Sequence, residues 1–422
     1  MSMVSVPPHD RRPLLVQTFP GSRPRLLSLV LLVFLAGVGH VPAAELPFQT
    51  LARSVVGTDQ GVFVLAEDGT VLAALNADRA VHPASITKIA TTLALLRRLG
   101  PEHRFETRFL ARSPLRDGTL QGNLIVEGED DPYLVFENAF LILLELRAHG
   151  IRTVQGTLKV RGSLLFNWRP DPQARRLQRA LAGLDGAAGW RAVQAVRKDA
   201  AAMRLAAVAL KFNRAVTAST QRPRLLLTHR SPPLLRHLKD FNCYSNNIFH
   251  ALSRHIGGPA VVERISRDSV LPTMRSAIVI DNAAGVGKTN RLSPQATVAL
   301  LQALNRELVR HGISFVDVLP VAGVDPGTLE DRFDDPSHQG IVVGKTGTLR
   351  SLGISALAGL AQTQRYGRVI FAVLNHSLPV REARRRQDAF VRALLDASGA
   401  VPQRYRREAG PAFTEARLEA SR

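Results

Sequence analysis

Along this chain apolar residues first alternate with polar ones and then recur with a helical period. Val62-Phe63-Val64-Leu65 and Thr70-Val71-Leu72-Ala73-Ala74-Leu75 flank Asp68-Gly69, the pattern of a β-hairpin. After Pro83 the spacing predicts a helix to Leu99, stopped by Gly100. Short strands are predicted over 105–111 and 123–127, a helix over 134–149 ended by Gly150, and an extended pair over 151–160. Residues 171–214 are rich in Ala and Arg and read as helical. Ser231-Pro232-Pro233 predicts a helix start, with Ser as cap and Pro in the first turn; Ser293-Pro294 predicts another, running to about Arg310. Residues 342–345, 354–360 and 369–374 read as adjacent strands, 381–395 as an amphipathic helix, and the residues from 399 as a loose polar tail. The last strands follow one another without crossover helices. The pattern therefore predicts an antiparallel sheet flanked by helices, an α+β or mixed α/β fold, rather than a doubly wound parallel sheet.

The N-terminus changes this picture. Arg11, Arg12, Arg23 and Arg25 precede an apolar run from Leu26 to Val38, and Val41-Pro42-Ala43-Ala44 follows. A basic region, a short apolar run and small residues in that order form an export signal. The run is short for a bilayer span. Residues 1–43 are read as a signal peptide, which puts the mature protein in the periplasm or elsewhere outside the cytoplasm; a retained anchor is the alternative.

Composition adds exclusions. The 422 residues, 45% hydrophobic and 21% charged, describe a globular chain with room for one large domain and an insertion. The net charge of +20 is mostly arginine spread along the sequence. It reads as compositional bias, with no nucleic-acid partner and at most peripheral association with membrane or wall. One cysteine, Cys243, excludes an internal disulfide and a Cys-rich metal site, and reads as a small buried side chain. Twelve histidines show no His-Glu-x-x-His spacing, so no metal or other cofactor is expected. Gly285-Val286-Gly287-Lys288-Thr289 fails as a phosphate loop because Asn282 stands where that pattern needs glycine. Glu127, Glu129, Asp130 and Asp131 read as a solvated turn rather than a cation site.

Candidate chemistry rests on a scarcity. Seven lysines stand against 48 arginines, and two of the seven fall in Ser85-Ile86-Thr87-Lys88 and Lys345-Thr346-Gly347. Arginine stays protonated in proteins, whereas a buried lysine can lose its proton and act as a base. Ser85 lies near a predicted helix N-terminus, where free N–H groups stabilise an oxyanion, and Lys88 falls on the same face three residues on. Apolar residues surround Lys88 along the helix, so its ammonium would be buried and its pKa lowered. Lys345 supplies charge for a substrate carboxylate, Thr346 and Thr348 offer hydroxyls, and Gly347 leaves room for a ligand against the strand. Ser245 and Asn247, in Ser245-Asn246-Asn247, sit in a break between helices and point to proton relay and substrate holding.

In this order the motifs resemble those of the penicillin-recognising serine enzymes, the low-molecular-mass penicillin-binding proteins and β-lactamases. Further segments resemble the D-alanyl-D-alanine carboxypeptidase/endopeptidase branch, class C. These are Ser231-Pro232-Pro233-Leu234, Leu319-Pro320-Val321-Ala322-Gly323-Val324-Asp325, and Asp130-Asp131-Pro132 in place of Gly-Asp-Pro. The resemblance implies a β-lactamase/transpeptidase-like fold. It makes Ser85 the acylated nucleophile, Lys88 its base, and Ser245 with Asn247 a proton network that also holds the peptide. Lys345 and Thr346 would bind the terminal carboxylate, with Gly347 beside them, and the N–H groups of Ser85 and Thr348 would form the oxyanion hole. It implies a catalytic domain over 44–104 and 231–398, an inserted domain over 105–230, and a polar tail over 399–422. Only 156 residues separate Lys88 from Ser245, fewer than the family's usual insertion. Asn246 replaces the commoner aspartate, and Asp281-Asn282-Ala283-Ala284-Gly285 stands for Asp-Gly-Ser-Gly. The implied activity is a D-Ala-D-Ala carboxypeptidase, or endopeptidase, on peptidoglycan stem peptides, acylated by β-lactams. The alternatives are a β-lactamase or esterase on this fold, for which no Glu-x-x-x-Asn loop is found, and a non-catalytic wall-binding protein.

Overall fold

The computed structural model describes residues 46–215, 222–407 and 410–420, all within one unit, Glu45–Arg422. The expected signal peptide lies outside the described residues. The predicted hairpin forms as β1 (Gly61–Leu65) and β2 (Val71–Leu75), with Asp68 Oδ1 accepting from Thr70 N–H at 2.9 Å in the turn. Helix α1 (Thr87–Leu99) follows, stopped by Gly100 at φ +79. Strands β3 (Glu106–Ala111) and β4 (Leu124–Glu129) pair antiparallel. Helix α2 (Phe136–Ala148) then carries the chain back to β5 (Leu158–Ser163), which pairs parallel with β4. A parallel neighbour needs a crossover connection of this kind; the expected extended pair over 151–160 forms as two strands, Thr153–Val154 and β5, which pair with distant strands and not with each other.

The Ala- and Arg-rich stretch is broken into short helices, Arg175–Leu181, Ala187–Val196 and Leu205–Val208. Strand β6 (Arg224–Arg230) returns to pair with β3. Helix α3 (Leu234–Cys243) begins one residue after the expected Pro-Pro start, and Ser231 does not cap it. Its hydroxyl instead accepts from Phe105 N–H and donates to Pro232 O, tying the entry of α3 to β3's neighbour. At the other predicted start Ser293 does cap, accepting from Ala296 N–H at 3.1 Å at the head of α4 (Pro294–Arg310).

The chain ends with β7 (Val343–Leu349), β8 (Ile354–Thr363), β9 (Gly367–Asn375), α5 (Val380–Ser398) and β10 (Arg417–Ala420). The main sheet has the order β7-β8-β9-β1-β2, antiparallel throughout, as the sequence predicts. Its two faces are apolar. Phe63, Ala356, Ala358 and Ala372 pack on α1 and α4, while Val62, Val64, Leu357 and Phe371 pack on α5. The second sheet has the order β10-β6-β3-β4-β5 and its own core with α2. The segment after Gly399, read from polarity as loose, supplies β10 to this sheet and buries Phe413. A strand's partner is set by distant residues, which polarity does not report. Among the described residues no helix is long and apolar enough to cross a membrane.

Candidate active site

The site begins at a strained entry. Ala84 adopts a left-handed conformation, φ +48, and donates its N–H to His82 Nδ1 at 3.0 Å. A 3-10 turn, Ala84–Ile86, runs from there straight into α1. Ser85 sits half-buried in the turn, and Lys88 one turn further faces the same way, with Nζ 2.7 Å from Ser85 Oγ. The α1 segment from Thr87 to Leu96 is buried on every side, and Lys88 is 0% exposed. Its Nζ also donates to Ala284 O at 2.7 Å and meets Asn247 Oδ1 at 3.4 Å. Among the described residues no carboxylate pairs with it. Burial, reinforced by the nearby Lys345 ammonium, holds Lys88 well below the usual lysine range. A neutral amine in hydrogen-bond contact with a serine hydroxyl can take its proton.

Strand β7 brings the second lysine. Gly347 lets it run directly along the turn: a Cβ there would lie 2.5 Å from Pro83 O and 3.2 Å from Ser85 N. Lys345 is also 0% exposed and donates to Thr346 O at 3.1 Å. Burial pushes it down to about 7. A permanent charge is therefore not built in; the protonation of Lys345 depends on pH near neutrality and on the ligand beside it. Thr346 is buried, and half-buried Thr348 accepts a hydrogen bond from Arg384 Nη2 at 3.1 Å. Arg384 comes from α5, and the sequence does not distinguish it within the basic run 381–386.

The third motif lies in the turn after α3. Ser245 is in the left-handed region, φ +53, and Asn246 N–H bonds back to Phe241 O at 2.9 Å. That conformation turns Asn247 toward Lys88. Among the described residues no hydrogen bond reaches the Ser245 hydroxyl, so it stands apart from the contacts that join Ser85, Lys88 and Asn247. Cys243 is buried, as expected, and burial pushes its thiol up to about 12, which leaves it protonated and unreactive.

A fourth element is the segment that stands for Asp-Gly-Ser-Gly, to which the sequence assigned no role. Residues 281–290 fold against the turn. Gly285, φ +77, approaches so closely that a Cβ would lie 1.9 Å from Ala84 O. Thr91 Oγ1 donates to Ala283 O at 2.7 Å, and Asn290 Nδ2 donates to Thr87 Oγ1 and Asn282 O. This network aims Ala284 O at Lys88. A backbone acceptor leaves no residue signature of its own; the segment is marked by its place in the motif order, by Gly285 and by the buried Asn290. The acidic group fits the solvated turn its composition suggests only at Glu129, which is exposed at the end of β4; Asp130 and Asp131 are buried. Asp131 is buried beside His229, 3.1 Å away, and accepts from Tyr133 N–H; Asp130 pairs with Arg254 and Glu127 with Arg161. These carboxylates are occupied by the protein itself.

Comparisons with known proteins address the family and the fold. The chain matches the D-Ala-D-Ala carboxypeptidase 3 (S13) family over residues 49–172 and 184–396, with the interruption inside the Ala- and Arg-rich stretch. It is 26% identical over 474 residues to a D-alanyl-D-alanine carboxypeptidase of Actinomadura sp. (strain R39), covering 86% of both proteins. It is 33% identical over 88 residues to D-alanyl-D-alanine carboxypeptidase DacB of Haemophilus influenzae, covering 21% of this chain and 18% of that protein. Among solved structures, a penicillin G-acylated predatory endopeptidase from Bdellovibrio bacteriovorus superposes with TM-score 0.68 at 20% identity, covering 84% of this chain and 96% of that one. Penicillin-binding protein 4 of Haemophilus influenzae superposes with TM-score 0.57 at 20% identity, covering 81% and 96%. These two likenesses show the fold.

Proposed function

The chain belongs to the D-Ala-D-Ala carboxypeptidase 3 (S13) family of serine peptidases, and from that premise we propose that it trims D-alanine from peptidoglycan stem peptides through an acyl-enzyme on Ser85. The observation that carries the reading is the contact of buried Lys88 Nζ with Ser85 Oγ at 2.7 Å, with no carboxylate among the described residues to hold a charge on the lysine. Ser85 Oγ attacks the carbonyl of the penultimate D-alanine while its proton passes to Lys88 Nζ. The N–H groups of Ser85 and Thr348 receive the oxyanion, each such donor being worth about 3–4 kcal/mol in the transition state. The C–N bond then breaks, the proton moves to the departing amine with Ser245 as relay, and D-alanine leaves. Water, deprotonated by the same lysine, hydrolyses the ester. Asn247 holds the peptide and Lys88. Lys345 and Thr346, along Gly347, hold the terminal carboxylate.

The proposed division of the chain is a catalytic domain of 44–104 and 231–398 around an inserted 105–230. The proposed location is the periplasm or another extracytoplasmic space, reached through the signal in 1–43. Penicillins act as substrate mimics that leave a slow ester on Ser85. The reading is tested by incubating the folded protein with an acyl-D-Ala-D-Ala peptide and measuring free D-alanine. Release by the wild type and none by Ser85→Ala is expected; equal release by both, or none by either, would refute it.

A further inference from the structure

Three of the seven lysines are buried: Lys88, Lys345 and Lys239. The third has no part in the chemistry above. It lies on α3, one turn and a half before Ser245, and its Nζ donates to Leu319 O at 2.8 Å and forms an ion pair with Asp325 Oδ2. Asp325 is 1% exposed. Its Oδ2 also accepts from Val321 N–H at 2.8 Å, and its Oδ1 accepts from Tyr405 Oη at 2.8 Å. The Tyr405 ring lies under the ammonium, 4.7 Å from Nζ to centroid. Burial and the Asp325 carboxylate push the tyrosine hydroxyl above its ordinary range, so it remains a donor.

Residues 319–328 have two edges. One edge grips α3 and the turn beyond it. Thr328 donates its N–H to Cys243 O at 3.0 Å, and Gly327 passes so close that a Cβ would lie 2.3 Å from the same oxygen. Asn242, fully buried, adds a bond to Val318 O at 2.9 Å and one to Thr92 of α1 at 3.2 Å. The other edge runs along β7. Val321 bridges Val343, Ala322 N–H bonds Val342 O at 2.9 Å, and Gly344 N–H bonds Pro320 O at 3.1 Å. One short segment therefore joins the turn that carries Ser245 and Asn247 to the strand that carries Lys345.

We propose that the Lys239–Asp325–Tyr405 cluster is a positioning clamp: it locks residues 319–328 and so fixes the distance between the Ser245–Asn247 turn and the Lys345 strand. This rests on the catalytic reading above for its kinetic consequence but not for its structural one. A buried ion pair that loses one partner leaves an uncompensated charge, whereas removal of both is far milder. A displacement of about 1 Å at a catalytic group costs on the order of a hundredfold in rate.

The test uses the full chain and three variants, Tyr405→Phe, Lys239→Met and Lys239→Met with Asp325→Asn. Two quantities are read: the acylation rate at saturating fluorescent penicillin as a function of pH, and amide hydrogen exchange at residues 243–248 and 343–347. Tyr405→Phe is expected to slow saturated acylation on the order of tenfold, to leave the pH midpoint of the rate in place and to speed exchange at both segments, with α1 unchanged. Lys239→Met is expected to be worse on both counts, and the double variant to recover most of the loss. Wild-type rates and wild-type exchange in Tyr405→Phe and Lys239→Met would overturn the clamp. If the wild type is not acylated, the catalytic reading fails, and the exchange comparison still decides the clamp.

Discussion

The two buried lysines of the site, Lys88 and Lys345, are proposed to carry different duties because their surroundings differ. Lys88 touches a hydroxyl and a carbonyl, has no ion-pair partner among the described residues, and is held well below the usual lysine range by burial and by Lys345. Lys88→Met keeps the packing and removes the proposed base. The expected result is a loss of penicillin acylation of roughly a thousandfold with an unfolding temperature no lower than wild type, because a buried amine gives way to a thioether. Stopped-flow labelling and calorimetry check the two halves. Lys345 is drawn down to about 7. Its proton is present below that pH and lost above it, so the affinity for a carboxylate-terminated peptide should fall as pH rises through about 7. A bound carboxylate favours the protonated lysine and shifts that fall to higher pH. KM measured from pH 6 to 9 should rise for the free acid and stay flat for its C-terminal amide; equal profiles would remove Lys345 from carboxylate binding.

At the scale of elements, the site depends on close backbone approaches that only glycine permits. Gly285→Ala would force a Cβ to within 1.9 Å of Ala84 O and impose a left-handed backbone at φ +77. The expected cost is about 1–3 kcal/mol of stability, with acylation slowed further because Ala284 O is moved off Lys88. Denaturant unfolding and labelling rates test this together. Elements were legible where the signal is local: the Asp68-Gly69 hairpin, the Ser293-Pro294 helix start, and the apolar helix behind Ser85. Ser231-Pro232-Pro233 carries the same local signal as Ser293-Pro294 yet does not cap, because β3's neighbour Phe105 takes the hydroxyl first. The motif residues Ser85, Lys88, Asn247 and Lys345 could be named from sequence because each is a distinctive side chain. The carbonyl of Ala284, the hydrogen bond from Arg384 and the left-handed Ser245 could not, since each is set by residues far along the chain.

For the whole molecule, the polar C-terminal segment is part of the fold. Tyr405 reaches Asp325, Phe413 enters the second core, and β10 closes the edge of the second sheet. Phe413→Ala should lower stability by about 3 kcal/mol or somewhat more, seen as an earlier unfolding midpoint, while a chain ending at 402 should lose acylation along with stability. The parallel strand β5, reached through α2, and the short helices between 175 and 208 share the second core with Phe413. The proposed function stands on acylation of Ser85 with Lys88 as its base. Peptide-mapping mass spectrometry after brief exposure of the full, folded chain to benzylpenicillin locates the adduct. One adduct per chain on the peptide bearing Ser85 is predicted, absent in Ser85→Ala and much slower in Lys88→Met; a folded wild type that carries no adduct, or carries it on another residue, would contradict it.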